Sequence, residues 1–191
     1  MRNFFRTLAP DKFDAKIAIH ADGSYSYSFD GVLVFVPALI QASRGALDAH
    51  TEAQLRKAAE QLGREGFQNA KYLGRGRYSA VLERNGAKGE ASFFPSREMT
   101  VFSIRPKSDG SIVVGASRPD HSAPCQLAGT GAEVDGALVV TVDRGVEVVR
   151  HNAQSQLPAC GASGAYAWSI KAPNLDPFII IRPARQREQR S

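Results

Sequence analysis

The sequence predicts an α+β fold: largely antiparallel sheet of about ten strands built from hairpins, with one main amphipathic helix packed on a sheet face. Three observations carry that expectation. After Ala21-Asp22-Gly23, residues 24–36 alternate Tyr25, Tyr27 and Phe29 with Ser24, Ser26 and Ser28, so one strand face is aromatic and the other hydroxyl-lined. Short β-prone runs then recur along the chain, separated by Gly-containing turns and not by helices, which argues against a doubly wound parallel sheet. A single segment, beginning at Thr51, has clear helical periodicity.

The elements follow in order. Residues 14–20 (DAKIAIH) alternate as an opening strand, and Asp22-Gly23 is the turn that joins it to 24–36. Gly31, in mid-run, marks a bulge or a close backbone approach, and Pro37 ends the strand. Leu39, Ile40 and Leu47 are compatible with a short helix between Pro37 and Ala49. Thr51 with Gln54 forms a capping box. Leu55, Ala58, Ala59 and Leu62 then share one helix face, opposite Glu52, Arg56, Lys57, Glu60 and Gln61, and Gly63 and Gly66 supply the stop. Strands return at 67–73 and 77–84 around Gly74-Arg75-Gly76, then at 91–94, 100–106, 111–116, 138–143, 146–152, 166–171 and 178–181. Asp109-Gly110, Asp135-Gly136 and Arg144-Gly145 read as further hairpin turns, and 118–130 as a loop holding Cys125. The domain plan is a lead segment at 1–12, one α+β domain at 13–182 and a basic flexible tail at 183–191.

A chain of 191 residues can bury roughly 70% of its unfolded surface, so neither disulfides nor metals are needed to fold it. The net charge is +5, and Arg182, Arg185, Arg187 and Arg190 crowd the last ten residues with only Glu188 opposing them. Such a tail is either a solvated end or a contact for an anion, including a membrane surface; the absence of an aromatic residue within it disfavours nucleic acid. No apolar run approaches the roughly 20 residues that span a bilayer. Cys125 and Cys160 lie in loop-like surroundings. They either pair, closing a loop of about 35 residues worth on the order of 3–4 kcal/mol in an oxidising compartment, or stand as two separate thiols.

Catalytic patterns are sparse. His20, His50, His121 and His151 form no HxH or HxxxH spacing, no Gly-x-Ser-x-Gly elbow is present, and Ala162-Ser163-Gly164 has no base placed beside it in sequence. Gly74-Arg75-Gly76-Arg77 lies between strands and not before a helix, so it reads as a basic hairpin tip and not as a phosphate loop. Glu83, Glu90 and Glu98 sit near turns, with nothing to make them converge. No catalytic residue, metal site or cofactor is therefore expected. Tyr25, Tyr27, Phe29, Phe93, Phe94, Phe102, Tyr166 and Trp168 all fall on predicted strands. They make either an ordinary core or an apolar concavity for a lipid-like ligand, for which Tyr25, Tyr27, Phe29, Tyr166 and Trp168 are the candidate contacts.

The segment Pro10-Asp11-Lys12-Phe13, the strand 16–20 and the run Ala21 to Gly31 resemble the start of a group of bacterial cell-envelope lipoproteins, the LppM-type domain family. Asn152 and Gly164-Ala165-Tyr166-Ala167-Trp168 resemble a C-terminal strand feature of the same group. The resemblance implies an envelope location with a binding or structural role, and carries over no catalytic residue. The chain departs from that group in having no cysteine near Met1: either an upstream signal and lipobox are missing, giving a periplasmic or envelope protein, or the chain is unlipidated and cytoplasmic. The leading expectation is a non-enzymatic envelope domain binding a lipid or hydrophobic ligand. The alternatives are an interaction module that accepts a protein partner on a strand edge, and a hydrolase assembled from distant loops with His20, His151 or Glu83.

Overall fold

The computed structural model describes residues 7–95, 100–115, 130–132, 134–157, 162–171 and 176–183. Its strands are β1 (Leu8–Ile19), β2 (Tyr25–Phe35), β3 (Gln68–Gly74), β4 (Arg77–Gly86), β5 (Ser92–Pro95), β6 (Thr100–Pro106), β7 (Ile112–Gly115), β8 (Asp135–Asp143), β9 (Glu147–His151), β10 (Ser155–Leu157), β11 (Ala162–Ile170) and β12 (Phe178–Arg182). Two helices, α1 (Val36–Arg44) and α2 (Ala49–Arg64), separate β2 from β3.

The α+β class holds, with two refinements. The twelve described strands form two sheets: a seven-stranded sheet in the order β10-β11-β8-β1-β2-β4-β3, and a five-stranded sheet in the order β5-β6-β7-β12-β9. A second helix also stands beside the expected one. α1 starts directly at the end of β2 because Pro37 occupies its first turn, where a missing N–H costs nothing, and its Leu39 is buried. Pairing is antiparallel except between β1 and β8, which run parallel with Ala15 beside Leu138 and Ile17 beside Val140.

Several local expectations meet the structure directly. His20 N–H donates to the Ser24 carbonyl at 2.9 Å and Gly23 has φ 89, the geometry of a three-residue hairpin loop closed by a glycine bulge. Asp109-Gly110-Ser111 repeats that loop, with Lys107 N–H donating to the Ser111 carbonyl at 2.8 Å. Gly31 faces a bulge in β1 between Pro10 and Phe13, so close that a Cβ on it would collide with the Lys12 carbonyl and Phe13. Gly66, at φ 95, ends α2 as expected, with Phe67 N–H reaching back to the Leu62 carbonyl.

Three readings need correction. The N-cap of α2 is Asp48, not Thr51: its carboxylate accepts the Thr51 N–H at 2.8 Å and the Thr51 hydroxyl at 2.6 Å, so two carboxylate oxygens outcompete a capping box one turn later. Asp135-Gly136 makes no turn; it opens β8, with Gly136 beneath the Phe13 ring. Arg144-Gly145 turns the chain from one sheet into the other, since β9 pairs with β12 and not with β8.

One hydrophobic core unites both sheets and α2. The inner face of the large sheet carries Phe13, Ala15, Ile17 and Ile19 of β1, Leu138, Val140 and Val142 of β8, and Tyr78, Ala80 and Leu82 of β4. Against it pack Phe94, Phe102, Ile104, Ile112, Val114, Ile179 and Ile181 of the small sheet, and Ala58 and Leu62 of α2. The result is a two-sheet sandwich with a helix completing one side. Its outer face bears Asp14, Lys16, Ser26, Ser28, Asp30 and Glu83, the wet side that the serine alternation predicts. Among the described residues no helix is long and apolar enough to cross a membrane.

Candidate functional site

The aromatic residues singled out in the sequence lie in the interior between the sheets, except Phe93, which is half-buried and alternates with the inward-facing Phe94 on β5. Tyr25, Tyr27 and Phe29 are 3%, 5% and 0% exposed, and Tyr166 and Trp168 are 5% and 1% exposed. Strand register arranges them in two rows. Tyr27, Ile17, Val140 and Tyr166 lie side by side across β2, β1, β8 and β11, and Phe29, Ala15, Leu138 and Trp168 form the adjacent row. Each row is thus an aliphatic floor two strands wide with an aromatic residue at either end, about 14 Å apart at three strand spacings.

The two aromatic ends are built differently. On the β2 side the rings form a continuous stack into the small sheet: Phe13 to Phe29 at 5.7 Å, Phe29 to Phe94 at 4.6 Å, Phe94 to Phe102 at 5.0 Å, and Tyr27 edge-on to Phe102 at 5.3 Å. Phe67, just after α2, closes that side 6.0 Å from Phe94. The Ser92 hydroxyl donates to the Tyr27 oxygen at 3.3 Å. Burial, and then the Glu90 charge, push the Tyr25 hydroxyl above the ordinary phenol range.

On the β11 side polar groups do the holding. The Trp168 indole N–H donates to Asn152 Oδ1 at 2.9 Å, and the same oxygen accepts the Phe178 N–H at 2.8 Å. Asn152 Nδ2 donates to the Asp176 carbonyl at 2.7 Å, so one side chain ties β11 of the large sheet to β12 of the small one. The His151 ring stands edge-on to Tyr166 at 4.7 Å, and Gln156 Nε2 donates to the Tyr166 oxygen at 3.2 Å. Among the described residues every buried side-chain nitrogen and oxygen has a partner.

The polar residues weighed for chemistry do not come together. His20 Nδ1 lies 3.3 Å from Asp143 Oδ2, which also accepts the Ala21 N–H, in a pair left 40% and 45% exposed beside the β1–β2 turn. His151 packs on Tyr166 in the other sheet's edge strand, and its Nδ1 accepts the Ala153 N–H. Glu83 is exposed on the outer face of β4, and Glu90 accepts the Ala87 N–H. Glu98, His121, Cys125 and Cys160 lie outside the described residues, and so does the question of a disulfide.

Sequence periodicity missed two features. The Asp11–Arg77 ion pair, Nε to Oδ2 at 3.2 Å, is nearly buried beside the β1 bulge, and Arg77 also donates to the Gly131 carbonyl at 2.6 Å. The second is Phe13, which joins the aromatic stack. Phe13 lay at the boundary of the opening strand, and only pairing with β2 and β8 shows which way it faces.

No family model matches the chain, and no curated protein matches it. Among solved structures, the NMR structure of the folded domain of the Mycobacterium tuberculosis LppM protein is similar over 95% of this chain and 94% of that one, with a TM-score of 0.36 and 12% sequence identity. That is a distant structural relation and carries no inference about activity.

Proposed function

We propose that the chain is a non-enzymatic, envelope-associated domain that takes a lipid-like ligand between its two sheets. The observation that carries this reading is the pair of inner rows: an aliphatic floor of Ala15, Ile17, Leu138 and Val140 bounded by Tyr27 and Phe29 on one side and Tyr166 and Trp168 on the other. An acyl chain laid along such a floor meets methyl and methylene groups beneath it and ring faces at its margins. The envelope location is drawn from the sequence likeness of the 10–31 segment.

The small sheet now covers the floor, and each close ring pair contributes about 0.5–1.5 kcal/mol beyond burial, so the stack on the β2 side amounts to a few kcal/mol. Burying an acyl chain of about twelve carbons contributes on the order of 10 kcal/mol at 0.8 kcal/mol per methylene. The β11 side, where the Asn152 hydrogen bonds and not stacked rings hold the rows, is the side at which a lipid would part the sheets, leaving the β2-side stack in place.

Trp168 is the single tryptophan of the chain and reports on this site. Titrating the purified protein with lysophosphatidylcholine or palmitate is expected to shift Trp168 emission saturably, and native mass spectrometry of protein isolated gently from its host should show a co-purifying lipid. Ligand-free protein whose Trp168 emission ignores both lipids sinks the reading.

A further inference from the structure

We propose that the tip of the β3–β4 hairpin, together with the C-terminal end of α1, is a docking surface for an anionic lipid bilayer, resting on the envelope reading above for where such a bilayer is met. Three observations point there. Leu73, next to the tip, is 54% exposed and is one of three large hydrophobic side chains exposed among the described residues. Its neighbour Tyr72 turns inward onto Tyr78, at 5.2 Å, which leaves Leu73 outward.

The tip is also held fixed. Gly74, Arg75 and Gly76 have φ of 92, 54 and 77, three successive left-handed residues, and the central one is an arginine that this conformation disfavours. What holds it is a set of ties to its surroundings. Arg75 Nη2 donates to the Ala42 carbonyl of α1 at 2.9 Å, Gly76 N–H to the Tyr72 oxygen at 3.2 Å, and Phe35 N–H to the Gly76 carbonyl at 2.7 Å. A strained turn braced in this way presents Leu73 rigidly, so little ordering entropy is lost when a partner meets it.

Charge then selects the partner. Lys71 and Arg75 flank Leu73 on the hairpin, and Arg44 lies in the last turn of α1, two residues beyond the carbonyl that holds Arg75; all three are exposed. Of the nearby acids, Asp48 caps α2, and Glu52 lies against Tyr72, whose side chain alternates with that of Leu73. One apolar side chain ringed by cations on a rigid projection suits the bilayer interface, where the apolar group enters at headgroup depth and the cations meet lipid phosphates. Nucleic acid fits less well, because the only aromatic residue of the tip, Tyr72, faces inward.

Flotation of the full chain with phosphatidylcholine vesicles, with and without phosphatidylglycerol, tests this. Binding is expected only with phosphatidylglycerol and is expected to fall with added salt. Leu73→Ser should weaken it by about tenfold, and Lys71→Gln or Arg44→Gln by about fivefold each. Unchanged Trp168 emission in these variants shows that the fold is intact. The tail is the rival source of vesicle binding. Tip variants that bind like the parent overturn the proposal, as does binding lost only in the Arg185→Gln, Arg187→Gln, Arg190→Gln variant, or no binding at all. Vesicle binding without any Trp168 response to lysophosphatidylcholine supports the docking surface while removing the interior ligand; the reverse result removes the docking surface alone.

Discussion

Asn152 makes three hydrogen bonds with one side chain, to Trp168, Phe178 and Asp176. Asn152 is itself exposed, so replacing it with alanine removes all three bonds and leaves the indole N–H to water. Asn152→Ala is therefore expected to cost about 1–2 kcal/mol in urea denaturation, and to shift Trp168 emission in the folded state. A stability change within a few tenths of a kcal/mol would remove Asn152 as the tie between the sheets. Three exposed aspartates make a second residue-scale device. Asp22, Asp48 and Asp109 each accept a side-chain and a backbone hydrogen bond, from Ser24, Thr51 and Ser111, which hold their carboxyl groups below the ordinary range. A carboxylate whose folded-state pKa is depressed stabilises the fold above its unfolded value, and that stability is lost as pH falls through the folded value. The melting temperature should thus drop between neutral pH and pH of about 3, and by less in the Asp22→Asn, Asp48→Asn, Asp109→Asn variant. Equal drops in both proteins would contradict the assignment. The Asp-Gly-Ser loops were legible in the sequence because the turn chemistry is local. The cap at Asp48 was not, since two acceptors within four residues compete and only helix geometry decides between them.

At the scale of elements, the sheet edges are each interrupted. In β9, Arg150 pairs with Ile180 and Val148 with Ile181, so Val149 is an extra, bulged residue, and it is 44% exposed. β3 breaks register between Gln68 and Lys71, with Asn69 at φ 53; β5 has four residues and ends at Pro95; β10 has three. Bulges, proline and short length are the devices that keep an edge from accepting another strand. This favours an interior ligand over strand addition as the working reading. Deleting Val149 straightens β9 without changing its remaining pairs and is expected to produce concentration-dependent association in analytical ultracentrifugation, absent in the parent. A deletion variant that stays as the parent does would show that the bulge guards nothing. Strand existence was readable from alternation, and the bounds of β6 matched. β10, at three residues, is too short for any periodicity, and the sheet-crossing role of Arg144-Gly145 is invisible because a tight turn has the same residues whether or not its strands pair.

At the scale of the molecule, the alternation in β2 and the helical face of α2 determined by themselves that one side of each element would be buried, because side-chain direction follows from backbone period alone. They also determined the wet outer face, the hairpin at Asp22-Gly23 and the close approach at Gly31. Only the tertiary structure decided what lies on the buried side. The parallel pairing of β1 with β8 joins residues more than a hundred positions apart and sets Tyr27 in one row with Tyr166, and Phe29 with Trp168. The same holds for the second sheet, whose Phe94 and Phe102 complete the stack, and for Asn152, whose partners come from two separate segments, β11 and the start of β12. Local pattern carries the direction in which a side chain points; the neighbour it meets there depends on register between distant strands, which no local property of the chain encodes.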